Sequence, residues 1–192
     1  PGTHMVYNAL AATAVGYALG LTDEEIAQGI ASNVPIAGRN NLIEGKYYTV
    51  IDDCYNANPA SMKSSLDVLA YADTRTVAVL GDMFELGADE KKMHYNVGVH
   101  AAEKGINVLI CIGDLSAEIA RGAQETEAQE TTDSTESANN SQTGSMEIHH
   151  YKTKAEFFAD AENVLKEGDT ILVKASHGME FPEIVERLSK KE

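Results

Sequence analysis

The chain has 192 residues, 43% of them hydrophobic, and a formal net charge of −15. That length suits one full domain with a piece of another, and the charge argues against non-specific binding to nucleic acid or to anionic membranes. No apolar run approaches the roughly 20 residues that span a bilayer, no basic-then-apolar leader is recognised, and Cys54 and Cys111 follow no metal or disulfide spacing, so a reducing cytoplasm is expected.

Two helices come first. Tyr7–Leu19 carries apolar residues at Leu10, Ala11, Ala14, Val15 and Ala18, close to helical period, and Gly20 stops the run. Thr22 and Glu25 form a capping box that opens a second helix reaching about Ala31. The stretch from Asn33 to Arg39 reads as a linker. A helix pair alone has too little partner surface to make a domain, so residues 1–37 are expected to be the end of a preceding domain or a packing appendage.

From about residue 40 the pattern alternates. Strands are predicted at Tyr47–Asp52, Thr76–Leu80, Asn107–Ile112, Ile148–Tyr151 and Thr170–Lys174. Helices are predicted at Ser61–Ala72, Glu90–Lys104, Ser116–Ala123, Lys154–Leu165 and Glu180–Lys190. Short β-branched runs alternating with amphipathic helices predict an α/β fold, a Rossmann-like, mostly parallel open sheet with flanking helices over residues 38–192. The segment from Gly122 to Glu147 holds Glu125, Glu127, Glu130, Asp133, Glu136 and Glu147 with no Lys or Arg. Its central part has no aliphatic side chain larger than Ala, so a disordered acidic surface insertion is expected over 122–147.

In an open α/β sheet, ligands bind outside the carboxyl ends of the strands, and right-handed crossovers gather those ends on one rim. The rim can be read off the chain. Asp52 and Asp53 end the first main strand, and Gly81-Asp82-Met83 follows the second. Gly113-Asp114 and Lys174-Ala175-Ser176-His177-Gly178 close the later ones. Singly, each Gly-Asp is an ordinary turn and helix cap; their common placement is what suggests a site. The sequence has no G-x-x-x-x-G-K-[ST] phosphate loop, no G-x-G-x-x-G fingerprint, no zinc spacing and no G-x-S-x-G elbow. Any phosphate chemistry must therefore borrow its main cradle from elsewhere, and no metal site is expected within the chain. The set Asp52, Asp53, Asp82 and Lys174 could also mimic a phosphoacceptor receiver domain, although no Pro follows Lys174 and the first two helices have no place there. A nucleotide-binding module without catalysis is a third reading.

The run Asp52-Asp53-Cys54-Tyr55-Asn56-Ala57-Asn58-Pro59-Ala60-Ser61-Met62 resembles the signature that opens the C-terminal domain of the Mur ligases, in the form carried by their D-alanyl-D-alanine-adding branch. Further matches follow in order. Leu80-Gly81-Asp82-Met83-Phe84-Glu85-Leu86-Gly87 with His94 resembles that branch's second motif. Ile171-Leu172-Val173-Lys174-Ala175-Ser176 resembles its final strand end, with Ala175 in place of glycine and His177 where relatives often have Arg. His4-Met5-Val6-Tyr7-Asn8-Ala9-Leu10-Ala11-Ala12 resembles a late helix of the family's central ATPase domain.

The resemblance implies the C-terminal part of an ATP-dependent amide ligase that joins D-alanyl-D-alanine to UDP-N-acetylmuramoyl tripeptide through an acyl phosphate. It implies ATP and Mg2+ bound mainly by a central domain, and an N-terminal domain besides, neither found in this sequence; the chain alone is expected to be inactive. Carried over by position, Asn8 matches an adenine contact, Arg39 a linker arginine near the nucleotide, and Asp53 a ribose ligand. Tyr55, Asn56 and Asn58 are expected to face the amino substrate, with Lys174 and Ser176 suited to the dipeptide carboxylate. Asp82 and His94 are expected as possible support, and Asp52 keeps a structural role.

Overall fold

A computed structural model describes residues 3–33, 37–133 and 145–190. Val34, Pro35 and Ile36 of the expected linker and residues 134–144 of the acidic segment lie outside the described residues. The fold divides into two compact units, Pro1–Ile36 and Ala37–Glu192.

The first unit is a helix pair, α1 (Thr3–Ala18) and α2 (Asp23–Ala31). Gly20, at φ +81°, ends α1. The expected capping box is complete: the Thr22 hydroxyl accepts from the Glu25 N–H, and the Thr22 N–H donates to the Glu25 carboxylate at 2.8 Å. The helices touch where Gly16 leaves room for Ile26, whose side chain a Cβ at position 16 would strike. Much of the apolar surface of α1 is bare: Tyr7, Leu10, Val15 and Tyr17 are all more than half exposed. A pair of helices has two facing sides to bury and no third layer, as its length implies.

The second unit is a six-stranded sheet in the order β1-β2-β6-β3-β4-β5, with β1 (Asn41–Glu44), β2 (Thr49–Asp52), β3 (Thr76–Gly81), β4 (Val108–Ile112), β5 (Glu147–Tyr151) and β6 (Thr170–Lys174). All neighbours run parallel except β1, which pairs antiparallel with β2. Strand β1 is an edge hairpin arm that the sequence reading missed. It is four residues long, and its outward Leu42 is exposed, so it lacks the buried β-branched run that marked the other strands.

Alternation along the strands splits the core into two layers, as period 2 requires. Ile51, Ala78, Leu80, Leu109, Cys111 and Leu172 face Met62, Leu66 and Leu69 of α3 (Pro59–Leu69), Val97 and Ala101 of α4 (Glu90–Glu103), and Ile119 and Ala123 of α5 (Ser116–Asp133). Val50, Val77, Val79, Val108, Ile110, Ile171 and Val173 face Phe157 of α6 (Lys154–Val164) and Ile184 and Leu188 of α7 (Pro182–Ser189). At the end of the sheet away from the rim, Arg75 donates to Asp169 at 3.0 Å, to Glu147 at 3.1 Å and to the Val164 carbonyl, tying the starts of β3, β5 and β6. Among the described residues no helix is long and apolar enough to cross a membrane.

The acidic segment needs a correction. Its first part is ordered helix, since α5 continues to Asp133, and its far end is anchored, with Met146 buried and Glu147 opening β5. Two forces extend α5 without large aliphatics. Glu, Gln and Ala are strong helix formers. The helix also lies so close to α4 that a Cβ on Gly98 would overlap the Ile119 carbonyl, and one on Gly122 the Tyr95 carbonyl. Arg121 bonds Glu118 and Glu125 on the outer face, and the Tyr95 hydroxyl donates to Glu125 at 2.8 Å.

Gly98→Ala should therefore destabilise the chain by about 1–3 kcal/mol or more, because backbone rather than a flexible side chain blocks the methyl. Gly29→Ala in α2, where nothing lies within 4 Å, should instead be neutral or stabilise by about 0.5–1 kcal/mol. Urea unfolding of both variants checks the contrast.

Candidate functional site

The parallel strands bring the expected residues to one rim, and the centre of that rim is a buried ion pair. Lys174 ends β6 beside the end of β2, since Asp52 lies opposite Val173 in the register. Its ammonium donates to Asp53 Oδ2 at 2.6 Å, to the Asn56 carbonyl at 3.0 Å and to the Asp53 carbonyl at 3.3 Å. Those bonds engage all three ammonium hydrogens. Lys174 is 2% exposed and Asp53 8%. Lys174, expected to meet a dipeptide carboxylate, is thus spent inside the protein and shapes the loop 53–58 from below.

Asp53 is shared further. Oδ2 also accepts from the Ser65 hydroxyl at 2.6 Å, and Oδ1 accepts the Asn40 N–H at 3.1 Å. Of these oxygens only Oδ1 keeps an acceptor direction for a ligand hydroxyl, since each carboxylate oxygen accepts about two bonds. Asp52 is turned to different partners: Oδ2 accepts the Gly38 N–H at 3.0 Å, and Oδ1 accepts the Cys54 thiol at 2.8 Å. Burial first, then the bond to Asp52 and its charge, push the Cys54 thiol up to about 12. Cys111 is wholly buried and its thiol is likewise raised, chiefly by burial.

Above this pair stands an exposed aromatic group. Tyr55 is 46% exposed; the Arg39 guanidinium lies 4.3 Å from its ring centre, and the His177 ring centre 5.9 Å away. Asn56 is exposed, with its side-chain oxygen accepting the Ala57 N–H. Asn58 is the N-cap of α3: its side chain accepts the Ser61 N–H at 2.9 Å, and Pro59 follows at the first helical position. That commits its side-chain oxygen to the turn.

The second motif forms a braced loop. The Ser176 hydroxyl accepts the Phe84 N–H at 2.8 Å, and the Ser176 N–H donates to the Asp82 carbonyl. His94, fully buried, accepts the Met83 N–H on Nε2 and meets the Glu90 carbonyl through Nδ1 at 2.7 Å, which fixes its Nδ1–H tautomer. Asp82 Oδ1 accepts the Ser116 N–H at 2.7 Å and so caps α5 from the neighbouring strand. Asp82 and His94 hold the loop rather than present themselves to solvent. Ala175 is accommodated because Gly81 offers no side chain against its methyl.

Asn8 belongs to the first unit, where it lines a groove of about 460 Å³ between α1 and α2 with Met5, Ala12, Glu25 and Ile30. Among the described residues no group of three or more His, Cys, Asp or Glu side chains could hold a metal ion. Sequence reasoning missed Ser65 and Asn40. Ser65 was legible as a polar residue on the otherwise apolar face of Met62, Leu66 and Leu69. Asn40 acts through its backbone N–H at φ +52°, which no side-chain pattern announces.

The model of the Mur ligase, glutamate ligase domain, matches residues 38–177. The chain belongs to the Mur ligase family. It is 32% identical, over 97% of its length, to UDP-N-acetylmuramoyl-tripeptide–D-alanyl-D-alanine ligase of Bacillus subtilis, and 31% identical over 99% to the Escherichia coli enzyme of that name. It spans 38% of the length of each. Among solved structures it is similar to MurF from Acinetobacter baumannii, with a TM-score of 0.83 and 27% identity, covering all of this chain and 38% of that one. Membership removes the receiver-like alternative, as does the geometry: Lys174 pairs with Asp53 and not with Asp82.

Two outcomes test the rim of this Mur ligase domain. Lys174→Met should destabilise the chain by about 3–5 kcal/mol, because it leaves a buried carboxylate unpaired. Adding Asp53→Asn should recover part of that loss, measured as a double-mutant cycle in urea. Because its folded thiol titrates far above pH 8, Cys54 should resist a thiol reagent at that pH in the native chain and react promptly once denatured; mass spectrometry of the labelled protein decides it.

Proposed function

We propose that this chain is the C-terminal part of an ATP-dependent amide ligase that adds D-alanyl-D-alanine to UDP-N-acetylmuramoyl tripeptide. The observation that carries the reading is the match of nearly the whole chain to ligases of that name, together with their motifs meeting at one rim. In the proposed reaction a tripeptide carboxylate oxygen attacks the γ-phosphorus of ATP and ADP leaves. The dipeptide amine then attacks the acyl carbon, phosphate leaves, and the amine proton is lost. Activation is needed because a carboxylate is a poor electrophile, and holding the amine near the acyl carbon is positioning work.

The residues here fit part of that task. The exposed guanidinium of Arg39 can fork onto phosphate. The free direction on Asp53 Oδ1 suits a ribose hydroxyl, and the exposed amide of Asn8 suits adenine. Tyr55 and Asn56, exposed beside the ion pair, suit the amino substrate; Lys174, Ser176 and Asn58 would act by holding that surface. Phosphate handling and Mg2+ are assigned to the domains that the longer relatives carry, and residues 1–37 to the end of the ATP-binding one.

The test is phosphate release from ATP in the presence of both UDP-N-acetylmuramoyl tripeptide and D-alanyl-D-alanine. The 192-residue chain alone should show none. The complete ligase should show turnover that requires both substrates. Turnover by the chain alone would refute the division of labour; a complete enzyme that prefers another amine would refute the substrate assignment.

A further inference from the structure

Asp52 is the member of the acidic pair to which the reaction assigns no role, yet its carboxylate is as fully engaged as that of Asp53. Two N–H groups, those of Gly38 and Asn40, are held by the adjacent carboxylates at the end of β2 and just past it: Gly38 by Asp52 Oδ2 at 3.0 Å and Asn40 by Asp53 Oδ1 at 3.1 Å. The Tyr55 N–H closes the loop onto the Gly38 carbonyl at 3.0 Å. Arg39 lies between the two clamped residues, with its guanidinium 4.3 Å from the Tyr55 ring centre.

The clamped segment has a backbone that would not persist unaided. Gly38 sits at φ +77° and Asn40 at φ +52°, two left-handed residues around one ordinary one. Gly38 has no freedom to become another residue, since a Cβ there would stand 3.0 Å from the Tyr55 nitrogen. Arginine is long and rotamer-rich, and a single stacking contact at an exposed ring is a weak restraint. The direction from which Arg39 reaches the ring is therefore set by its backbone, and that backbone is held by Asp52. The Cys54 thiol, which donates to the other oxygen, keeps the carboxylate turned toward Gly38.

We infer that Asp52 is a positioning residue for Arg39: it clamps the Gly38-Arg39-Asn40 segment and so places the guanidinium for the nucleotide phosphates. This rests on the reading of Arg39 given under the proposed function. Asp52→Asn replaces one of two acceptor oxygens with an amide, so Gly38 and Cys54 can no longer both be satisfied.

Two measurements test it. In the 192-residue chain, the Arg39 side-chain protons should carry an upfield ring-current shift from Tyr55 in the NMR spectrum, and Asp52→Asn should abolish it. Persistence of that shift would overturn the clamp whatever Arg39 does. In the complete ligase, Asp52→Asn should raise KM for ATP about five- to tenfold with kcat changed less than about twofold, and Arg39→Ala should do the same. The double variant should match Arg39→Ala alone, the non-additivity expected of residues acting as a unit. Multiplying effects, or an unchanged KM in Asp52→Asn, would overturn the inference. An unchanged KM in Arg39→Ala, with the NMR shift still lost in Asp52→Asn, would instead sink the nucleotide role of Arg39. Should Asp52→Asn fail to fold, Asp52→Glu keeps the charge and both acceptor oxygens but carries them one methylene away from the Gly38 N–H, and should give the same two results; an unchanged shift and KM in it would overturn the inference.

Discussion

The buried pair between Lys174 and Asp53 is the interaction on which the rim depends. A charge taken out of water is tolerable only when it is paired and its remaining hydrogen-bonding capacity is met. Here the ammonium is met by a carboxylate and two carbonyls, and the carboxylate by a hydroxyl and an N–H besides. These partners come from β6, the loop 53–58 that leaves β2, α3 and the segment entering β1. Satisfying one ion pair thus fixes the relative positions of four pieces of chain. Removing either charge would disturb all of them together.

A second set of constraints works by close approach. Gly81 admits Ala175 and Phe181, Gly113 admits the Asp82 carboxylate, and Gly98 and Gly122 let α4 and α5 meet backbone to backbone. Asp82, Ser176 and His94 then hold the loop after β3 through backbone N–H groups. The polar residues of the rim therefore fall into two kinds. Asp52, Asp53, Asp82, His94, Lys174 and Ser176 are buried and build the surface; Arg39, Tyr55, Asn56 and His177 are exposed and compose it. Of the first kind, Asp53 keeps an acceptor direction open beside the exposed set.

This division suits a domain that contributes one side of a shared site. The chain spans 38% of the length of the Bacillus subtilis relative. What the second unit offers is a rigid edge with one exposed guanidinium, one exposed phenol ring and a carboxylate with a single free acceptor direction. Such an edge suits the positioning of a nucleotide and an amine proposed above.

The chain of physical reasons from sequence to fold was nearly complete for the parallel strands. Thr76–Leu80 and Thr170–Lys174 are short β-branched runs flanked by helical periods, and local pattern alone places them in a buried parallel sheet. The same holds for the capping box at Thr22, because its partners are three residues apart. Strand β1 was not legible, since its pairing with β2 is what makes it a strand. Helix α5 outran its apolar pattern because its support comes from α4, which sequence periodicity does not register. At the rim, the residue types by themselves determined that carboxylates, a lysine and a serine would gather at the strand ends. Only the tertiary structure decided which were to be consumed. Lys174 and Asp53 are 121 positions apart, and no local rule reveals that each is the other's counter-ion. Hydrogen-bond capacity is finite, so a side chain's availability to a ligand depends on what folding has already brought within 3 Å of it.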